Sequence, residues 1–239
     1  RDVELIAGVV DEGIDGYRAP SIDCAEKLCN MLNVQFERIS YPDLSFPEMD
    51  NVVKLLPIIS KNNVEADGMM PCSFCGVFRR QGLNSLANRM GADVIALGHN
   101  LDDVAQSVLM NMQKGEVDRT ARLAPHTTQP IDGLAPRIVP LRWIPEQEIH
   151  AAAIHLNLPI HHGDCPHAGG AMRQRSRDII ATIEKDIPGS RHGLVQSMDR
   201  IRELASESIN VSKILSCERC GEPTSRKVCQ SCTMKEWFA

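Results

Sequence analysis

An α/β fold on a mostly parallel sheet follows from three observations. Short apolar runs alternate with segments of helical period, the apolar runs end in loops carrying glycine and acids, and a separate cysteine-rich tail closes the chain. Val3–Val10 is apolar and ends at Asp11-Glu-Gly13, the form of a buried parallel strand entering a loop. Ser21–Leu32 places Ile22, Ala25, Leu28, Cys29 and Leu32 at helical spacing, with Ser21 as the expected N-cap. Val34–Ile39 alternates as a strand. Phe46–Ile59 predicts a helix that stops at Pro57. Cys75–Met90 predicts a helix ended by Gly91, Asp93–Leu97 a buried strand, and Leu101–Met112 a helix ended by Gly115. Thr127–Arg142 reads as irregular, with a short strand near Ile138–Leu141. Helices follow over Pro145–Leu156, Ser176–Ile183 and Gly193–Ser208, with a loop rich in glycine and histidine over Gly163–Arg175.

Composition narrows the function classes. At 239 residues the chain can bury a full core and carry a small appendage. A net charge of −5 argues against a globally basic nucleic-acid binder and leaves room for a local basic patch. No apolar run reaches the ~18 residues of a membrane span, and no signal-peptide pattern occurs. Nine cysteines without such a signal predict a reducing, cytoplasmic setting. Cys24 and Cys29 lie on a helical stretch and read as small buried residues. The chain opens at Arg1 and enters a strand-like run at once, which reads as a fragment whose beginning lies elsewhere.

The remaining cysteines fall into two sets. Cys217-Glu-Arg-Cys220 and Cys229-Gln-Ser-Cys232 are two C-x-x-C knuckles with eight residues between them. Two facing turns can offer four thiolates to one tetrahedral Zn²⁺ at ~2.3 Å, and Gly221 supplies the positive φ such a turn needs. A closed four-thiolate site is structural. The second set is Cys72 and Cys75, in Pro71-Cys-Ser-Phe-Cys-Gly76, with Cys165 in His162-Gly-Asp-Cys-Pro-His167. Three thiolates leave one position open on a metal or an iron–sulfur cluster, where a substrate atom can bind.

Two further motifs carry chemistry. Gly98-His-Asn-Leu-Asp-Asp103 lies between a predicted strand and helix, where ligands bind in doubly wound sheets. Gly98 permits close backbone approach; Asp102 and Asp103 can cap the helix, and one can reach Mg²⁺ on phosphates. Arg79 stands four residues beyond Cys75 on the predicted helix and so shares its face, where it can meet a phosphate or sulfur anion. Two solvated arginines at 79 and 80 are the plain alternative. His161, His162 and His167 surround Cys165 and read as hydrogen-bonding loop residues rather than ligands.

Cys72-Ser-Phe-Cys-Gly-Val-Phe-Arg-Arg80, Gly98-His-Asn-Leu-Asp-Asp103, the Gly-Asp-Cys-Pro context of Cys165 and the terminal knuckle together resemble the tRNA uridine 2-thiolation enzymes of the PP-loop ATP pyrophosphatase superfamily, from Val3 to Cys232. The resemblance implies a Rossmann-like domain of the adenine nucleotide alpha hydrolase type, with helices on both faces of a parallel sheet, and a C-terminal zinc ribbon. It implies ATP with Mg²⁺ as co-substrate, adenylation of the uridine C2 oxygen, and sulfur transfer through a [4Fe-4S] cluster on Cys72, Cys75 and Cys165. Cys72 and Cys165 are then expected among the catalytic residues. Arg79 and Asp103 would act in ATP binding and adenylation, and Val9 and Gly98 would line the adenosine.

The family's Ser-Gly-Gly-Lys-Asp-Ser phosphate loop, and the N-terminal zinc knuckle before it, are not in this sequence; the loop would precede Val3. Expected organisation is a catalytic domain over residues 1–166, a helical extension over 167–213 and the zinc knuckle over 214–239. Expected partners are tRNA, a sulfur donor (sulfide or a ubiquitin-like carrier protein) and a second copy in a homodimer, with no membrane. The segment around Cys75 favours the wobble uridine, position 34, over the T-loop uridine, position 54. Thiolation of cytidine fits less well, because those relatives are not expected to carry the C-terminal knuckle. The competing class is a non-catalytic zinc-ribbon module that binds tRNA, with Cys72, Cys75 and Cys165 on a structural zinc completed by a histidine such as His167.

Overall fold

The parallel pair of β1 (Ile6–Asp11) and β2 (Gln35–Ser40) aligns Ile6 with Gln35 and Asp11 with Ser40, and α1 (Arg18–Leu32) connects the two. The computed structural model describes residues 3–121, 123–125, 133–170, 172–205 and 215–238. α2 (Met49–Asn62) and α3 (Pro71–Arg89) follow, then β3 (Ile95–Ala96), α4 (Leu101–Gln113), α5 (Val117–Ala121) and β4 (Arg137–Ile138), which pairs in parallel with β3. Three more helices, α6 (Glu146–His155), α7 (Met172–Asp186) and α8 (Ser190–Ala205), precede the cysteine-rich end. That end holds the antiparallel pair of β5 (Leu215–Ser216) and β6 (Pro223–Thr224), and α9 (Gln230–Glu236). The α/β class predicted from the sequence is the class observed.

α3 packs directly on β1. A Cβ at Gly8 would stand 2.7 Å from the Leu86 side chain, and one at Gly82 would stand 3.0 Å from Val10. Glycine on each partner therefore lets strand and helix approach. Around this contact, Val10, Ile39, Tyr41, Phe74 and Phe78 are buried in one core, with Phe46 stacked on Phe78 at 4.5 Å between centroids. A second core joins Leu101, Ala105 and Val108 of α4 to Ile180 of α7 and Val195 and Met198 of α8.

Several elements differ from expectation. α2 runs through Pro57 instead of stopping there. An interior proline costs about 3 kcal/mol, but Met49, Val52 and Ile59 are buried along the same helix, each contributing ~1.5–3 kcal/mol. α1 starts at Arg18, so Ser21 is inside the helix and its hydroxyl donates back to the Arg18 carbonyl at 2.9 Å. The Arg18 guanidinium donates to the Val10 carbonyl at 2.6 Å, anchoring the helix a turn earlier. α3 begins at Pro71 rather than Cys75. The strand predicted as buried over Asp93–Leu97 shortens to Ile95–Ala96, with Val94 44% exposed, because its partner β4 is itself two residues long. Among the described residues the two parallel pairs form separate sheets. The predicted continuation of the last long helix to Ser208, and residues 127–132 of the irregular stretch, lie outside the described residues.

The cysteine-rich end docks on α3. Phe74 meets Trp237 and Phe238 edge-on, Met234 joins the first core, and Asn84 Nδ2 donates to Glu222 Oε2 at 2.6 Å.

Candidate catalytic cleft and cysteine sites

Cys72 and Cys75 lie on the first turns of α3, opened by Pro71 at N1. That position suits thiolates, because a helix N-terminus favours negative charge. Cys72 is exposed, whereas Cys75 is partly buried against the first core, as is Cys165. The loop bearing Cys165 is held near them by two ties. His167 Nε2 pairs with Asp50 Oδ1 on α2 at 2.6 Å, and a Cβ at Gly170 would lie 3.7 Å from Met70, which precedes α3. The second Asp50 oxygen accepts the Asp15 N–H at 3.0 Å, joining the same loop to the end of β1.

Cys75 is the most elaborated of the three. Its Sγ accepts from Arg79 at 3.1 Å, and the Tyr41 hydroxyl donates to the Cys75 carbonyl at 3.0 Å and lies 3.8 Å from the sulfur. Burial raises the Cys75 pKa above the ordinary thiol value despite the opposing Arg79 cation. Burial works against the charge of Arg79, but Cys75 and Glu12 outweigh it and raise its pKa. Glu12 is the residue sequence reasoning missed. It follows β1, is 1% exposed, and holds Arg79 Nε at 2.7 Å and Arg18 Nε at 2.5 Å. Arg18 directs its N–H groups mainly to the Val10 carbonyl, so its contact with Glu12 Oε2 is an ion pair without an aligned hydrogen bond. The chain Arg18–Glu12–Arg79–Cys75 fixes a guanidinium beside a sulfur, as the i,i+4 spacing suggested for Arg79 but with a buried carboxylate behind it.

The Gly98–Asp103 motif joins β3 to α4. A Cβ at Gly98 would meet nothing within 4 Å, so the space before this glycine is open. Asn100, not Asp102, is the N-cap: its side chain accepts the Asp103 N–H at 3.0 Å while Asp103 Oδ2 accepts the Asn100 N–H at 3.1 Å, a capping box. Asp103 Oδ1 also faces Arg173 at 3.6 Å. Asp102 instead pairs with Arg191 at 2.8 Å and accepts the Glu146 N–H at 2.8 Å. Burial, then Arg173, Arg79 and Arg137, hold His99 below the ordinary histidine pKa, with Asp103 opposing. The charges of Arg79 and Asp103 thus both act on His99, in opposite directions. Val9 stands apart from the cysteines: Gly8 and Val10 face α3, so the alternating pleat turns the Val9 side chain away from that helix.

The four terminal cysteines come together tightly. Their sulfurs all lie within 4.8 Å of one another, with Cys220 and Cys229 3.6 Å apart. Four sulfurs at ~2.3 Å from one tetrahedral ion would sit ~3.8 Å apart, so the donors fit zinc. Cys217 Sγ accepts the Cys229 N–H and Cys229 Sγ accepts the Cys232 N–H, at 3.2 and 3.4 Å. Burial pushes the Cys217 pKa up, but the backbone donors of Cys229, Cys220 and Arg219 bring it down to about 6. Gly221 has φ 75°, as the knuckle turn requires. Among the described residues Cys72, Cys75 and Cys165 do not form such a single-ion group. A groove of about 640 Å³ lies elsewhere, between this unit and Ser45–Pro47, and contains none of the three.

No protein-family profile matches the chain. Individual relatives do. The tRNA 2-thiolation protein NcsA of Haloferax volcanii is 34% identical over 246 aligned positions, covering 98% of this chain and 73% of that protein. The chain belongs to the tRNA 2-thiolation protein family. Within that family, cytoplasmic tRNA 2-thiolation protein 1 of Chlamydomonas reinhardtii is 35% identical and that of Danio rerio 33%. The chain spans 62% and 65% of those two proteins, less than two thirds of their length. The solved U34-tRNA thiolase NcsA from Methanococcus maripaludis, with its [4Fe-4S] cluster, superposes with a TM-score of 0.77 at 36% identity, over 96% of this chain and 70% of that one. Of the described helices, none is long and apolar enough to cross a membrane.

Proposed function

We propose that this chain is the catalytic body of a cytoplasmic tRNA uridine 2-thiolase acting at the wobble position. The observation that carries the reading is the packing of Cys75 and Cys165 against one core, with the Arg79 guanidinium on the Cys75 sulfur. Cys72, Cys75 and Cys165 would hold a [4Fe-4S] cluster: the donor set is three thiolates, one exposed and two against an apolar core. When bound, such a cluster supplies an iron with one coordination position free of protein.

Two half-reactions make up the chemistry. The uridine C2 oxygen attacks the α-phosphorus of ATP, forming the C2–O–AMP bond and releasing pyrophosphate. A sulfide nucleophile then adds at C2, the C2–O bond breaks, and AMP leaves with the electron pair. The chain's own residues serve this chemistry by placement. Arg79, clamped by Glu12, keeps a fixed positive charge next to Cys75 and can stabilise developing negative charge at phosphate or sulfur. Asp103, in its capping box, is positioned to orient Mg²⁺–ATP beside the neutral His99. Gly98 leaves room for adenosine, which Val9 at the end of β1 would also line. Cys217, Cys220, Cys229 and Cys232 would hold a structural Zn²⁺. Partners in this reading are tRNA, sulfide or a ubiquitin-like carrier, and a second copy of the chain.

The rival reading, a zinc-ribbon module with Cys72, Cys75, Cys165 and His167 on one structural zinc, is disfavoured: His167 Nε2 is engaged by Asp50 and the three sulfurs are not drawn into a single-ion group among the described residues. The name of the superposing structure, U34-tRNA thiolase, favours position 34 over 54. Mass spectrometry of tRNA nucleosides decides both points. A strain lacking the parent gene should lose 2-thiouridine derivatives at position 34; loss only at position 54, or no loss, would refute the assignment.

A further inference from the structure

We propose that Tyr41 is a positioning residue for the iron–sulfur site, a buried donor that joins Arg79 on the Cys75 sulfur and helps set the reduction potential of the cluster held there; the proposal rests on the reading of Cys72, Cys75 and Cys165 as cluster ligands. Tyr41 follows β2 and is fully buried. Phe46 and Phe78 meet its ring edge-on, at 6.0 and 5.7 Å between centroids, and hold it within the first core. The ring carries its hydroxyl to α3, where it donates to the Cys75 carbonyl at 3.0 Å and stands 3.8 Å from Cys75 Sγ. Arg79 Nη2 donates to the same sulfur at 3.1 Å, with Glu12 behind it. Among the described residues the sulfurs of Cys72 and Cys165 receive no hydrogen bond.

A phenol in a core needs a partner for its O–H, and the Cys75 carbonyl alone would satisfy it. That carbonyl lies inside α3, however, where the helix ladder already gives it a donor. The hydroxyl thus has one proton and two acceptors in reach. An ionised acceptor holds a proton donor more strongly than a neutral carbonyl, and a ligand thiolate is ionised. With Cys75 as a ligand, the proton turns to sulfur by rotation about the C–O bond, and the ring need not move. Outer partners of this kind fix a ligand's orientation. Hydrogen bonds to cluster sulfurs also help set the potential: each donor withdraws electron density from the thiolate, which favours the more negative, reduced cluster.

The test is the reduction potential of the full chain, reconstituted anaerobically with iron and sulfide and titrated under electron paramagnetic resonance. Tyr41→Phe keeps the ring and removes the proton. It should bind as much iron as wild type and show a lower potential. The chain has two tyrosines, so 3-fluorotyrosine incorporated in a Tyr17→Phe background labels Tyr41 alone. Its more acidic hydroxyl is a stronger donor and should raise the potential relative to unlabelled Tyr17→Phe. Phe46→Leu disturbs the same aromatic packing and leaves the hydroxyl in place; it should lower stability without moving the potential. No fall in Tyr41→Phe, or no rise with fluorotyrosine, would overturn the proposal. So would a fall in Phe46→Leu as large as in Tyr41→Phe, which would make Tyr41 a packing residue only. If Tyr41→Phe holds no iron, the fluorotyrosine protein decides by the same sign. A wild-type chain that binds no iron would instead refute the cluster reading, and the role of Tyr41 with it.

Discussion

Glu12 shows how one side chain can organise a site from beneath. It is buried, it faces two arginines, and one of these touches the sulfur of Cys75. Glu12→Gln keeps the shape and removes the charge. It should cost about 1–3 kcal/mol by urea denaturation, since two guanidinium groups lose their counter-ion. It should also disorder Arg79, visible as a changed absorbance spectrum of the iron-loaded protein. Nothing in Asp11-Glu-Gly13 announced this role, because a local reading of that tripeptide sees only a strand end. Arg79 was legible, since i,i+4 spacing from Cys75 is a local property.

Asp103 and His99 give a second residue-scale prediction. His99 is held below about 6.5, the ordinary histidine value. The neutral ring therefore favours the fold at neutral pH, and this contribution is lost as pH falls below 6.5 towards the folded value. Asp103→Asn removes the carboxylate that raises the His99 pKa, so NMR titration should move it lower still, while the amide can preserve much of the cap. An unchanged His99 titration would show that the two do not share a cleft.

At the scale of elements, the four-cysteine unit and α3 behave as partners. Trp237 and Phe238 pack on Phe74, which sits between Cys72 and Cys75. Structural zinc binding is worth ~10–16 kcal/mol in finger peptides. Cys229→Ser should thus lose zinc, shift Trp237 fluorescence to the red in a Trp143→Phe background, and lower the melting temperature of the whole chain. Retained zinc, or a melt identical to wild type, would contradict the docking. Gly8→Ala is a packing counterpart: a Cβ 2.7 Å from Leu86 should cost about 1–3 kcal/mol through overpacking, measured by chemical denaturation. The four-cysteine site could be read from spacing alone. Its docking could not, because Asn84 and Glu222 meet across 138 residues. The passage of α2 through Pro57 was hidden for a similar reason: burial of Met49, Val52 and Ile59 decides it, and burial is a tertiary fact.

For the whole molecule, two cores divide the work. One joins β1, β2 and α3 and supports Cys75 and Cys165; the other joins α4, α7 and α8 beneath the Gly98–Asp103 motif. His99 links the two sides electrostatically, since Arg79 beside Cys75 and Arg173 beside Asp103 both lower its pKa. The most direct measurement combines iron content with thiolation by the full-length parent enzyme. Anaerobically reconstituted protein should bind about four irons per chain, absorb near 400 nm and form 2-thiouridine on tRNA, as expected of a three-thiolate cluster site. Alanine at Cys72, Cys75 or Cys165 should remove iron and product together. Robust thiolation in air by iron-free protein would contradict the account.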